Sequence, residues 1–290
     1  MNFSAMTVSF PLDEETYQEV ETLCRAAAET DNLHYEQLLN LPVATSYESK
    51  GFFVLVYDDE KNTLAGVCSA IDVMGLNTYE WSLVVAPMYR GLALGEALYS
   101  VMREGLDVRG SEGDLALMLE GSPNGLKFLK EQGYFYSFSE ASLEAKASND
   151  YTREDLTFRA FQPSDVEALV DIFATAFGDV RDESLQLIEF NTTTPGLQLW
   201  SVEQNKEVVA TVTTRKDGEI QWITALAVHA DHMGKGIGTA ILQWVKQYTL
   251  KNEEKFVMLD VELDNKQALA IYEKAGFMKA LQVDYFVRAK

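Results

Sequence analysis

The chain is short of the residues that build covalent or inorganic frameworks. Its two cysteines, Cys24 and Cys68, make neither a disulfide network nor a metal-binding spacing, and His34, His229 and His232 are too few for a zinc centre. No metal is therefore expected, and a reducing, cytoplasmic compartment fits the cysteine usage. Long apolar runs are lacking too. No stretch approaches the roughly 20 residues that cross a bilayer, and the opening MNFSAMTVSFPLDEETYQEV has no basic segment leading into an apolar one, so neither a membrane span nor a signal peptide is expected. Positive charge is scarce as well: 24 Lys and Arg face 45 Asp and Glu, a net charge of −21. A general nucleic-acid binder needs clustered basic side chains, so none is expected here.

The acidity is uneven. Residues 1–150 hold 9 basic and 24 acidic side chains, a net of −15, whereas residues 151–290 hold 15 and 21, a net of −6. An anionic ligand meets less long-range repulsion in the second half.

What the chain does have is apolar content, 47% of 290 residues with 11% aromatic, enough for a sizeable core and long enough for two domains. It also repeats itself. LVVAPMYRGLALG (83–95) aligns with LAVHADHMGKGIG (226–238) at an offset of 143, placing Gly91 on Gly234 and Gly95 on Gly238. The same offset places FLKEQGY (128–134) on IYEKAGF (271–277). One register satisfying two separate segments implies a duplicated domain, with a period too long for a solenoid. The polar stretch 146–155 suits a linker between a domain at 1–145 and another at 156–290.

Within the second repeat the pattern predicts an α/β fold. LTFRAF, LQLWSVEQ, EVVATVTTR, IQWITALAV, FVMLDVEL and LQVDYFVRA (281–289) read as strands. A helix over PSDVEALVDIFATAF is expected to start on a Ser164/Glu167 capping box and to bury Val166, Leu169, Val170, Phe173 and Phe177. A second starts near Gly238 with Ile241, Leu242, Val245 and Tyr248 inward, and a third runs from an Asn265 N-cap to Gly276 at its end. Each half is then a central mixed, mostly antiparallel sheet flanked by helices.

The glycines at 234, 236 and 238 precede a helix, as they would where a phosphate approaches the main chain, or where a turn merely needs positive φ. The familiar phosphate loops do not fit. Lys235 is followed by Gly236 rather than Ser or Thr, and Thr239 stands where a dinucleotide fingerprint needs glycine. The stretch instead resembles the GNAT superfamily of acyl-CoA-dependent N-acetyltransferases. The family runs from a strand into Arg/Gln-x-x-Gly-x-Gly/Ala and a helix, and later Asn-x-x-Ala-x-x-x-Tyr and Gly-Phe. Asn265, Ala268, Tyr272, Gly276 and Phe277 match that second signature. Departures are plain: Met233 replaces Arg or Gln and Ala230 replaces Pro, while in the first repeat Ala93 replaces Gly, Leu129 stands for Tyr272 and Ser122 for Asn265.

The resemblance implies two tandem GNAT domains, the first degenerate and the second an acetyl-CoA-dependent N-acetyltransferase for a small-molecule or peptide amine; the alternative is a non-catalytic acyl-CoA sensor. Acetyl-CoA is the implied co-substrate. Its pyrophosphate would sit on the N–H groups of Met233, Gly234, Lys235, Gly236, Ile237, Gly238 and Thr239, and its pantetheine arm along Leu226, Ala227 and Val228. Asn265 and Ala268 would lie near it, with Tyr272 as general acid to the thiolate. Lys235 either adds charge to the phosphates or is a solvated loop lysine. Glu219, Asp260 and Glu262 are candidate bases, each otherwise an ordinary surface carboxylate, and His229 and His232 are read as solvent-side turn residues. Duplication can replace a homodimer, so monomer and homodimer both remain open.

Overall fold

The computed structural model describes residues 2–47, 49–73 and 75–288. Chain contacts divide it into two compact units, Met1–Ser139 with Gln282–Lys290, and Glu140–Leu281. The first is completed by a segment from the far end of the sequence, and the second is one continuous stretch.

The first unit runs β1 (Phe3–Ser9), α1 (Glu14–Asp31), α2 (Tyr35–Leu38), β2 (Lys50–Asp58), β3 (Thr63–Asp72), β4 (Thr78–Val85), α3 (Leu94–Val108), β5 (Gly113–Leu119), α4 (Gly125–Glu131) and the start of β6 (Tyr134–Lys146). The second holds the rest of β6, then β7 (Leu156–Ala160), α5 (Val166–Phe177), α6 (Arg181–Thr193), β8 (Leu197–Gln204), β9 (Glu207–Asp217), β10 (Ile220–Val228), α7 (Ile237–Lys251), β11 (Phe256–Glu262), α8 (Lys266–Lys274) and the start of β12 (Met278–Arg288). The expected terminal strand is β12; its last expected residue, Ala289, lies outside the described residues.

The first sheet has the order β1-β2-β3-β4-β5-β12, with Val283 of β12 opposite Leu119 of β5. All pairs are antiparallel except β4 with β5. Phe52 to Val56 of β2 form an unbroken buried run, as in a strand covered on both faces. The second sheet is β6-β11-β10-β9-β8-β7, again antiparallel except for one pair, β10 with β11. Both units are thus mixed, mostly antiparallel sheets with flanking helices.

Two apolar clusters hold the second unit. One gathers Ile241, Leu242 and Val245 of α7 against Val257, Leu259 and Val261 of β11. The other joins Leu169 and Phe173 of α5 to Ile188 of α6 and Leu199 of β8. Four local expectations need correction. Tyr248 and Val166 are only half-buried, and Phe177 is 51% exposed, its place in the core taken by Ile172. The capping box is not Ser164/Glu167 but Gln162/Asp165, because a 3₁₀ turn over Pro163–Asp165 carries the helix start one turn back. Helix α6 had no reading in sequence: Ile188 is buried beside Ser184 and Asn191, while Phe190 is exposed, so no apolar stripe marks it.

Asp165 ties this region together. Its carboxylate, 4% exposed, takes two hydrogen bonds from Arg159 at 2.6 and 2.8 Å, one from Ser201 Oγ at 2.8 Å and one from the Gln162 N–H at 2.9 Å. Arg159, with the other donors, holds its pKa down at about 2 against burial. A depressed folded-state value stabilises above the unfolded pKa near 4 and loses that contribution as pH falls. Asp165→Asn should therefore cost on the order of 2–4 kcal/mol at neutral pH by urea unfolding. The gap to the parent should close as pH drops from about 4 to about 2.

Candidate active site

In the second unit, β10 pairs with β9 along its length, but with a register shift between Ile223 and Ala225 that leaves Thr224 as an extra, bulged residue. Its parallel pairing with β11 covers only Ile220–Ile223 against Phe256–Leu259. Beyond the bulge the two strands part. Leu226, Ala227 and Val228 are therefore held by β9 on one side and present an open main-chain edge on the other, where an extended amide-bearing arm can add as a strand would.

Past Val228 the chain makes a 3₁₀ turn over Ala230–His232, and an extended Met233 leads to Gly234 at φ +73° and Gly236 at φ +75°. Only glycine adopts that region freely, so two of the three glycines are required by the turn itself. Gly238 is helical, and a Cβ there would meet Ile271 at an ordinary 3.9 Å, so conformational freedom is not its reason. Helix α7 starts at Ile237 with no side-chain cap, leaving the first-turn N–H groups of Ile237, Gly238 and Thr239 without an intrahelical acceptor. No heavy atom lies within 4 Å of a Cβ built on Gly234. An uncapped helix start behind a bare main chain fits a pyrophosphate. Lys235 is exposed, and its carbonyl accepts from Arg153 Nη1 at 3.2 Å. Arg153, in the stretch read as a linker, had no signal in sequence; it is paired with Asp155 at 2.6 Å.

Helix α8 supplies the other wall. The Ala268 N–H donates to Asn265 Oδ1 at 3.0 Å, so Asn265 is the N-cap. Gly276, at φ +87°, ends the helix. The half-buried Tyr272 packs against the α7 cluster and Phe277, with ring centroids 6.2 Å apart. Burial raises its phenol pKa, so it stays protonated at neutral pH. Buried Lys246 of α7 fixes the helix by donating to the Ala275 carbonyl at 3.1 Å and to Asp150 at 3.2 Å. A cation at a helix C-terminus is favoured by the dipole.

Tyr272 lines a cavity of about 630 Å³ together with Asn265, Val261, Glu140, Asp260, Glu262 and Asp264. Asp260 and Glu262 are thus brought to the tyrosine, whereas Glu219 is not. It precedes the far end of β10 and pairs with Lys255 at 2.6 Å. His229 is not a loose turn residue either. It is half-buried, its Nδ1 accepts from the Asp231 N–H, and its Nε2 lies 2.9 Å from Asp171 Oδ2, joining the turn to α5. His232 is likewise half-buried.

The first unit repeats this frame with different fittings. Strands β4 and β5 pair only over Thr78–Trp81 and Gly113–Ala116, then part beside a cavity of about 440 Å³ lined by Val85, Arg90, Gly91, Gly95 and Phe128 among others. Arg90 is engaged: it makes a two-pronged pair with Asp31 at 2.5 and 2.7 Å and donates to the Val85 carbonyl at 3.1 Å. Leu129, 4% exposed, is a core residue. Ala93 occupies the Gly236 position at φ +59°, a left-handed conformation that costs a side chain about 1–2 kcal/mol. Ala93→Gly should raise the stability of the first unit by roughly 0.5–1 kcal/mol in urea unfolding, since glycine's added chain entropy offsets part of the relief.

Comparison with known proteins agrees with this geometry. A profile of the Acetyltransferase (GNAT) family matches residues 14–134 and again 166–277. The chain is 30% identical over 139 residues, 45% of its length, to the S-(2-succino)cysteine N-acetyltransferase of Bacillus subtilis, covering 79% of that protein. In fold it is similar to a GCN5-related N-acetyltransferase from Sphaerobacter thermophilus, with a TM-score of 0.74 and 18% identity over 97% of this chain and 94% of that one. A tandem GNAT protein from the clavulanic acid biosynthesis pathway gives a TM-score of 0.72 and 15% identity over 98% of both chains. With both repeats matched and the parted strands and open glycine turn in place, the chain belongs to the GNAT family, as a tandem pair of repeats, and is an acetyl-CoA-dependent acetyltransferase.

Proposed function

We propose that the second unit carries out the transfer, moving an acetyl group from acetyl-CoA to a primary amine of a small molecule or peptide. The observation that carries this reading is the meeting of three features in one unit: an uncapped glycine turn, a parted strand edge, and a protonated tyrosine facing a cavity. The first unit shares the strand edge, an uncapped helix start and a cavity, but has a committed arginine and a buried leucine in place of the phenol.

When bound, acetyl-CoA supplies an activated thioester. The N–H groups of residues 234–239 hold its phosphates, and the β10 edge at Leu226–Val228 aligns its amide-bearing arm. A main-chain N–H on that edge stabilises negative charge developing on the carbonyl oxygen. Tyr272 donates its proton to the departing sulfur. The cavity beside Tyr272 receives the acceptor. Four carboxylate side chains line it, with no lysine or arginine among the described lining residues. The relative from Bacillus subtilis is named for an amino acid bearing several carboxylates. Such an acceptor would meet like charge here, so this chain acts on an amine without that anionic burden.

The same open turn would also serve a protein that binds acyl-CoA without transferring from it, and one experiment separates the two. Tyr272→Phe should lower kcat by on the order of 10²-fold while leaving coenzyme affinity by calorimetry unchanged. An unaltered kcat removes Tyr272 from its role. Coenzyme binding with no amine-dependent thiol release from the parent protein would establish the sensor.

A further inference from the structure

An alkyl amine with a pKa near 10 reaches the site as an ammonium ion at neutral pH, and a nitrogen without a lone pair cannot attack a thioester. One carboxylate beside Tyr272 is built differently from the others. Asp260 and Glu262 share a face of β11, two residues apart. Glu262 lies directly across from Glu140 of β6, a like charge, whereas Asp260 lies across from Ser142. The Ser142 hydroxyl donates to Asp260 Oδ1 at 2.6 Å, and Oδ2 has no hydrogen-bond partner among the described residues. Asp260 is solvent-exposed, so an acceptor can reach it, and partial desolvation by the protein around it raises its pKa, with Ser142 and the more distant Arg215 of β9 pulling it the other way. The remaining ionisable groups around the cavity are Glu140 on β6, Glu262 on the same strand, Asp264 before α8 and Tyr272 on α8.

Resting on the transferase reading above, we propose that Asp260 is the catalytic base that takes the proton of the incoming ammonium, and that Ser142 is its positioning residue. The hydroxyl fixes one carboxylate oxygen and leaves the other to the acceptor. The nitrogen sheds two protons as the C–N bond forms and the C–S bond breaks. Asp260 takes one and passes it to solvent. The other replaces the proton that Tyr272 gives to sulfur, so the chain returns to its starting state and one proton is released per turnover. A carboxylate whose hold on a proton is strengthened by its surroundings, with one oxygen fixed and the other open, suits the task. Ser142 and Glu140 reach this site on β6, the closing strand of the first repeat, so the second unit's chemistry uses a residue from the first half of the sequence.

The test is thiol release by the full chain with acetyl-CoA and spermidine, tyramine, lysine methyl ester or S-(2-succino)cysteine, profiled from pH 5 to 9 on the acceptor turned over fastest. Asp260→Asn should lower kcat by about 10²–10⁴-fold with an unchanged KM for acetyl-CoA, and should abolish the acid limb of kcat/KM. Ser142→Ala, having lost a bond that holds the carboxyl down, should move that limb to higher pH; Ser142→Thr should restore it. An Asp260→Asn protein that keeps its acid limb and its kcat overturns the assignment, as does an unmoved limb in Ser142→Ala. Absence of release by the parent protein with all four amines overturns the transferase reading itself, and this assignment with it.

Discussion

The site depends on one break in the sheet. Thr224 is an extra residue on β10, and past it β10 stays with β9 and leaves β11. Unpaired main-chain groups on a strand are ordinarily a hazard, because they invite pairing with another chain. In the reading proposed above, the gap instead takes a narrow, amide-bearing ligand. The same parting sets the direction of the chain after Val228, which must turn through Gly234 and Gly236 before it can enter α7. The tyrosine follows from the same arrangement. Helix α8 packs beside α7, with Ile271 next to Gly238 and Lys246 on the Ala275 carbonyl, and Tyr272 lines the cavity shared with Asp260 and Asn265.

The strand exchange gives each repeat a structural role in the other. The second unit includes Glu140–Lys146 of β6, from the first repeat, and the first unit includes Gln282–Arg288 of β12, from the second. Deleting either repeat would strip the other of a sheet partner, exposing β11 or β5. In the first unit the residues at the matching positions are structural: Leu129 is core, and Arg90 holds α1 through Asp31.

Much of the frame was legible because it rests on local rules. The 143-residue offset placed Gly91 on Gly234 and Gly133 on Gly276, and all four have positive φ. Asn265 read as an N-cap because its side chain needs only the N–H three residues on. What was illegible depends on residues distant in sequence. Nothing local in SEASLEA says that Ser142 will face Asp260 across a register 118 residues long, or that Arg153 will reach the Lys235 carbonyl. Glu219 and Asp260 looked alike as carboxylates next to strands. The parallel pairing of β10 with β11 put one at the closed end and the other at the parting. Helix α6 was missed because two of its three buried residues are polar.

The account stands on the N–H groups at 234–239 and the β10 edge acting together as one receptor for the coenzyme. A crystal structure of the full chain with acetyl-CoA tests this most directly. It should show the pyrophosphate on that turn, the arm paired along Leu226–Val228 and the sulfur within hydrogen-bonding reach of the Tyr272 hydroxyl. Coenzyme seated only at the Gly91–Gly95 turn, or with its sulfur away from Tyr272, would contradict it.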